Sequence, residues 1–331
     1  MMLKCTCAAE TGRVHLVSGT PCQDKVVAHR SGELALAVLA DGAGSVPHSE
    51  RAAKAVTEAV AALLGERFAE LCSLENKALI ARLLDCAQSA VAREAPGQEA
   101  DCTLLLAALH HDGRCLLGHI GDGVILFADG EGHGGVVSYP ENGAQSHLTY
   151  FVSGPEPEEH LRIYRTLPRG TRGILLSSDG IADMLYFEPG GNLASAVGTM
   201  LQWLRVLGEA QVAEKLRYEM AHLFSENTID DMSLALLLRE PEEGEQAENE
   251  SEEGDRKVWD TLSEDKQFDV IVSLEEDTED EDLAEAYEET EEEPIDELAE
   301  PEDEPYPDEL EDSWPEDELL LPEDEQKERI R

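Results

Sequence analysis

Residues 33–55 read ELALAVLADGAGSVPHSERAAKA. The apolar run from Leu34 to Ala40 has strand length and almost no polar relief, which suits a strand covered on both faces; a buried helix segment shares that signature. The run stops at Asp41-Gly42-Ala43-Gly44, where glycine lets the backbone turn sharply. Ser49 stands where it can cap a following helix with Ala53, Val56, Val60 and Leu64 on one face. His48 reads as a helix-entry residue. A carboxylate at the end of a buried strand is costly unless its charge is compensated. Taken alone, Asp41 serves either a Gly-rich turn or a cation.

Upstream, residues 13–17 (RVHLV) read as a short strand, 18–23 as a loop ending at Asp24, and 25–29 as a second strand turned by Ser31-Gly32. Downstream, two helices are expected, over 49–64 and 75–94, the second striped by Leu79, Leu83, Ala87 and Val91 and ended by Pro96-Gly97. The period then changes. Residues 102–109, 115–119 and 124–128 read as consecutive strands, joined by His111-Asp112-Gly113 and Gly121-Asp122-Gly123, turns short enough for antiparallel hairpins. Residues 149–153 are a further strand candidate. Residues 173–177 are another strand, running into Asp179-Gly180. Helices over 193–207 and 209–224, a polar turn over 227–231 and a buried strand over 233–238 complete the pattern. This order predicts an α+β fold with antiparallel sheets.

Asp24, Asp41, Asp179 and Asp231 all stand at strand ends, with Asp122 between two strands. If the sheets stack, such ends converge, and converging carboxylates repel one another unless hard cations sit among them. Mg²⁺ and Mn²⁺ prefer oxygen ligands and need few carboxylates each. Two such ions roughly 4 Å apart acidify a water between them and clamp a phosphoryl oxygen, which makes a hydrolytic site without a Ser, Cys or His nucleophile. Asp beside Gly at a strand end is also ordinary turn chemistry.

The charge is unevenly spread. Residues 240–331 carry 43 Asp and Glu against 6 Lys and Arg, whereas residues 1–239 carry 30 against 19. The acidic segment has too little apolar surface to offset its ordering entropy and is expected to be largely disordered. The domain expectation is therefore 1–239 as the folded unit and 240–331 as an acidic tail. Trp259, residues 268–272 (FDVIV), Tyr287, Tyr306 and Trp314 punctuate that tail and can fold onto a partner, a basic one by charge; the plainer role is solubility. Nucleic acid is an unsuitable partner for a chain with no basic patch. No apolar stretch approaches a membrane span or a signal core. Seven scattered cysteines suit reduced thiols and a cytoplasmic setting, and Cys5 and Cys7 lack the second pair that a thiolate zinc site needs.

Six motifs carry a resemblance. Pro21-Cys22-Gln23-Asp24, Leu39-Ala40-Asp41-Gly42-Ala43-Gly44-Ser45, Thr103-Leu104-Leu105, Ile120-Gly121-Asp122-Gly123, Leu176-Ser177-Ser178-Asp179-Gly180 and Asp230-Asp231 together resemble the bacterial branch of the metal-dependent protein phosphatase 2C family, in the family's order, over residues 13–239. The resemblance implies a β-sandwich of two antiparallel sheets flanked by antiparallel helix pairs, and hydrolysis of phosphoserine and phosphothreonine at a binuclear Mn²⁺ or Mg²⁺ centre. Carried over by position, Asp41 bridges the two metals. Asp24, the Gly42 carbonyl, Asp179 and Asp231 complete their shells, and Asp122 helps hold a third, weaker metal. The implied substrate is a phosphorylated protein, a Ser/Thr kinase or its target.

Three positions depart from the family pattern. Gly19 stands where the phosphate-binding Arg is usual. Ala43 stands where eukaryotic members often have a His. Met232 follows Asp231 where the last motif usually reads Asp-Asn. His15 is expected either to orient substrate phosphate or a metal-bound water, or to pack in a strand near the surface. Ser45 is expected to offer a hydroxyl or amide to an anion or to serve the turn. The alternative function is a pseudophosphatase or binding module that keeps the fold and acts through it and the acidic tail.

Overall fold

In the computed structural model, residues 33–55 form the end of a hairpin, a strand and the start of a long helix. The structure describes residues 2–240 except 45, 47, 97–99, 143–148 and 188–189. Ser45 and the aromatic positions of the acidic tail lie outside the described residues.

The strand read from the central apolar run is β3, Leu34–Ala40, and it is buried along its whole length. Its two faces meet different cores. Leu34, Leu36, Val38 and Ala40 pack with Val56, Val60 and Leu64 of α2 (Ser49–Ser73) and Leu79 and Leu83 of α3 (Asn76–Glu94). Ala35, Ala37 and Leu39 face a second sheet, against Ile174, Leu176, Ala235 and Leu237. Strand alternation thus sends every residue of an unbroken apolar run into one of two interiors.

The β3 sheet has the order β2-β3-β4-β5-β8: β2 is Lys25–Ser31, β4 Leu104–His110, β5 Cys115–Ile120 and β8 Arg162–Tyr164. The second sheet has the order β1-β12-β9-β6-β7: β1 is Met2–Glu10, β6 Val124–Ala128, β7 Gly134–Ser138, β9 Gly173–Ser177 and β12 Met232–Glu240. All pairings in both sheets are antiparallel. Helices α6 (Ser195–Val206) and α7 (Glu209–His222) cover the second sheet, placing Leu204, Leu216 and Met220 against Leu234 and Leu236. Short helices α1 (Arg13–Ser18), α4 (Pro157–His160) and α5 (Asp179–Ala182), and a small hairpin of β10 (Tyr186–Phe187) with β11 (Asn192–Leu193), complete the described elements. The expected sandwich of two antiparallel sheets flanked by helices is the observed one.

Several local expectations are corrected. Residues 13–17 are helical rather than extended: Val14 and Leu16 keep a strand's alternation, yet Val14, Leu16 and Val17 all face solvent, Val17 at 90% exposure. Gly19, at φ 72°, ends that helix in the left-handed region. The turn at Gly121-Asp122-Gly123 makes no hairpin: β5 and β6 belong to different sheets, so this turn carries the chain across the sandwich. Residues 149–153 contribute a single bridge, Thr149 to Asn142, and the neighbour of β5 is β8 instead. β1 and β7 are further strands that the pattern did not reveal. β1 pairs with β12 along nine residues and turns Cys5 and Cys7 toward the core between the sheets. Ser49 does not cap α2. His48 occupies that position, and Ser49 Oγ donates to the carbonyls of Ala43 and Val46, both at 2.7 Å, tying down the turn after Asp41.

Candidate active site

Strand register alone gathers the acidic residues. Lys25 pairs with Ala40, so Asp24 and Asp41 leave adjacent strands side by side. Leu39 pairs with Leu105 and Leu104 with Ile120, so the Asp122 turn emerges at the same end. In the second sheet Ser177 faces both Val124 and Leu234, which brings Asp179 and the approach to β12 to that end as well. Oxygens of Asp41, Asp122 and Asp179 lie within 4.8 Å of one another.

Backbone contacts hold Asp41 in place. Its N–H donates to Thr103 Oγ1 at 3.0 Å, and the Thr103 N–H donates back to the Asp41 carbonyl at 2.8 Å. Next to it, Ala43 N–H donates to the Asp101 carbonyl, and Asp101 Oδ1 accepts from Ser153 N–H at 3.0 Å. Gly42 sits so close to α2 that a β-carbon there would lie 2.8 Å from the Ser49 backbone. The motif therefore requires glycine for want of room, and Gly42 keeps its carbonyl at the strand end.

Electrostatically the cluster is strained as it stands. Burial raises the pKa of Asp24 to about 6. Burial, then the charges of Asp24 and Asp179, push Asp41 well above the carboxylate range. Asp122 is raised by burial. Asp179 is open to solvent on its outer side, yet desolvation and the charges of Asp122 and Asp230 raise it to about 8. Asp24 Oδ2 and Asp122 Oδ1 are buried without a hydrogen-bond partner. Orphaned oxygens, mutual repulsion and an all-oxygen donor set fit hard divalent cations and fit little else.

Asp231 is disposed differently. Its Oδ1 accepts from Gly12 N–H at 2.7 Å, while Oδ2 accepts from Gln23 N–H at 2.5 Å and lies 2.9 Å from His15 Nδ1. Both oxygens thus already accept from the chain's own groups. The acid whose charge acts on Asp122 and Asp179 is its neighbour Asp230. The sequence does not separate Asp230 from Asp231: the two are adjacent before β12, and neighbours at a strand entry turn to opposite sides.

A sequence model of the protein phosphatase 2C family matches residues 11–220, more than half of the chain. The chain belongs to the protein phosphatase 2C family. No curated protein matches the chain in sequence. Its fold is similar to that of serine/threonine phosphatase Stp1 from Staphylococcus aureus, at 16% identity and TM-score 0.52, covering 73% of this chain and 96% of that one. It is similar as well to serine/threonine phosphatase PstP/Ppp from Mycobacterium tuberculosis, at 20% identity and TM-score 0.50, covering 73% of this chain and 100% of that one. A C. elegans sex determining protein matches at 14% identity and TM-score 0.52, and the chain spans 66% of that protein's length. At these identities the likeness is one of fold. Among the described residues, no helix is long and apolar enough to cross a membrane.

Proposed function

We propose that this member of the family hydrolyses phosphoserine and phosphothreonine in proteins with the help of Mn²⁺ or Mg²⁺. The observation that carries this reading is the convergence of Asp41, Asp122 and Asp179 within 4.8 Å, with protonation driven upward at each. Asp24, Asp41, the Gly42 carbonyl and Asp179 would hold two ions, and Asp122 would serve a third. We assign to Asp230, rather than Asp231, the last carboxylate of the set. When bound, such ions supply an acidified water and positive charge that offsets the phosphoryl oxygens.

The chain's own residues do the positioning. The Asp41–Thr103 backbone pair fixes the strand end, and the Ser49 hydroxyl fixes the turn that follows. Asp231 holds His15 by Nδ1; with both ring nitrogens protonated, Nε2–H would be left to donate to a phosphoryl oxygen. Gly19, four residues on, provides no side chain for that task. This reading gives Asp231 a positioning role and His15 contact with substrate phosphate.

The proposed substrate is a phosphorylated protein, a Ser/Thr kinase or its target. We assign the phosphatase to residues 1–239 and place it in the cytoplasm. The acidic residues 240–331 suit a basic partner by charge.

The test is Mn²⁺-dependent hydrolysis of a phosphothreonine peptide, with and without a chelator. Asp41→Ala and Asp179→Ala should each abolish it while the fold survives by circular dichroism. Full activity in both variants defeats the assignment. Tight Mn²⁺ binding with no turnover on any phosphopeptide would instead make the chain a pseudophosphatase.

A further inference from the structure

At the opposite end of the β3 sheet, a full strand length from Asp41 (roughly 20 Å at about 3.3 Å per residue), two hairpin turns meet. Glu33 lies in the turn between β2 and β3. His110 and His111 lie where β4 turns into β5. The turns are joined through the backbone, His111 N–H donating to the Glu33 carbonyl at 2.9 Å. Their side chains converge too. Glu33 Oε1 is 3.3 Å from His111 Nε2, and Glu33 Oε2 is 3.9 Å from His110 Nε2. One atom from each of the three residues lies within 4.8 Å of the others.

We propose that Glu33, His110 and His111 form a second metal site, of a different kind from the acid cluster, that takes a borderline transition ion such as Zn²⁺. Two imidazoles and one carboxylate are a donor set suited to zinc, which binds such atoms at about 2.0–2.2 Å and therefore wants them about 3.3–3.6 Å apart. The observed separations are 3.3 and 3.9 Å, to the two different oxygens of Glu33, and the three donor atoms lie within 4.8 Å of one another, so the turns would close on the ion. Three protein ligands leave a position for water.

An independent feature supports this choice over a chance meeting of charges. His110 Nδ1 lies 2.9 Å from Asp112 Oδ1 and also takes the Asp112 N–H at 3.3 Å, so this edge of the ring is held by Asp112 and Nε2 is the nitrogen that faces Glu33. A carboxylate behind the imidazole fixes tautomer and ring orientation at protein metal sites. Asp112 is itself fixed: Arg114 Nε and Nη2 both sit 2.8 Å from its Oδ2. The His110 ring is further locked by stacking on Phe68 at 5.6 Å and 10°, with the Arg114 guanidinium over the same ring. Arg114 and Asp112 thus orient the His110 ring with Nε2 toward Glu33. The metal would clamp the β2–β3 turn to the β4–β5 turn and stabilise that end of the sandwich.

The test is calorimetric titration of the full chain with Zn²⁺, in excess Mg²⁺ so that the acid cluster and the acidic tail are already supplied with a hard cation. One Zn²⁺ should bind, and His111→Ala and Glu33→Gln, both at solvent-exposed positions, should each weaken it at least tenfold. Asp112→Asn should weaken it as well, as loss of an orienting carboxylate does, by about 10- to 100-fold. Asp41→Asn should leave it unchanged. Zn²⁺ should also raise the melting temperature of the unaltered chain but not of His111→Ala. Equal Zn²⁺ binding by the unaltered chain, His111→Ala and Glu33→Gln would overturn the proposal, as would the absence of any Zn²⁺ site competing with Mg²⁺. Neither result bears on phosphatase activity, which rests on other residues.

Discussion

Asp231 Oδ2 lies 2.9 Å from His15 Nδ1, joining residues 216 positions apart. The same carboxylate takes the amides of Gly12 and Gln23, so it staples α1 and the loop before Asp24 to the start of β12. Its neighbour Asp230 is exposed and directs its charge at Asp122 and Asp179. The two aspartates should therefore fail differently. Asp231→Asn weakens charge-assisted hydrogen bonds in a buried setting and should cost about 1–3 kcal/mol, a fall of several degrees in Tm. Asp230→Asn should leave Tm nearly unchanged and weaken Mn²⁺ binding and turnover at least tenfold. Thermal melts and Mn²⁺ titrations of both variants check this, and the reverse pattern would return the metal role to Asp231.

The acid cluster also sets a pH dependence. A carboxyl whose folded-state pKa lies above its unfolded value holds its proton more tightly when folded. Stability is then full below the unfolded value and falls as pH rises through the folded one. Asp24 rises from 3.8 to about 6 and Asp179 from 3.8 to about 8, so the window runs from about pH 4 to pH 8. Chelator-treated protein should melt at a lower temperature at pH 8 than at pH 5. Divalent cation should restore more stability at pH 8 than at pH 5, and Asp179→Asn should flatten the profile. A melting temperature independent of pH across this window would contradict the assigned strain.

Much of this was legible from the residues. The run from Leu34 to Ala40 allowed a doubly covered strand or a buried helix, and it is the strand; the recurring aspartates at strand ends allowed a cluster or ordinary turns. Asp24, Asp41, Asp122 and Asp179 all arrive at one end because antiparallel register leaves no other place for them. The misreadings have physical causes. Alternation over residues 13–17 satisfies a strand pattern, but those apolar side chains face water on a short helix. A Gly-Asp-Gly turn is locally the same whether it closes a hairpin or crosses between sheets, and the choice is made by long-range pairing of β6 with β9. Asp230 and Asp231 differ only in which side of the chain they leave, which no local propensity encodes. The Glu33–His110–His111 convergence depends on the β3–β4 register, which opposes Leu34 and His110.

The core and α1 give contrasting stability predictions. Leu39 is fully buried between the sheets, so Leu39→Ala should cost about 2–5 kcal/mol through lost burial and the cavity left behind. Val17 is 90% exposed on α1, and Val17→Ser should change stability by no more than about 0.5 kcal/mol. Were residues 13–17 a strand packed on the sheet, Val17→Ser would be costly. Urea denaturation of the two variants separates the cases, and a comparable loss in both would count against the helical assignment.

Gly180 offers the sharpest steric test of the site. A β-carbon at this position would lie 2.1 Å from the Asp231 carbonyl oxygen and 3.7 Å from the Asp230 Cβ. The obstacle is backbone, so no rotamer change relieves it. Gly180→Ala must push the Asp179 turn away from the entry to β12 and separate Asp179 from Asp230. Overpacking of this kind costs about 1–3 kcal/mol. The more telling effect is on the cluster, because Asp179 owes part of its raised protonation to Asp230. Gly180→Ala should therefore weaken Mn²⁺ binding at least tenfold beyond what its loss of stability explains, while Gly170→Ala, where a β-carbon meets nothing within 4 Å although its φ is 78°, should alter stability alone. Mn²⁺ titrations on both variants at a temperature where each is fully folded make the comparison, and equal Mn²⁺ affinity in the two would show that the close approach at Gly180 does not set the geometry of the acids.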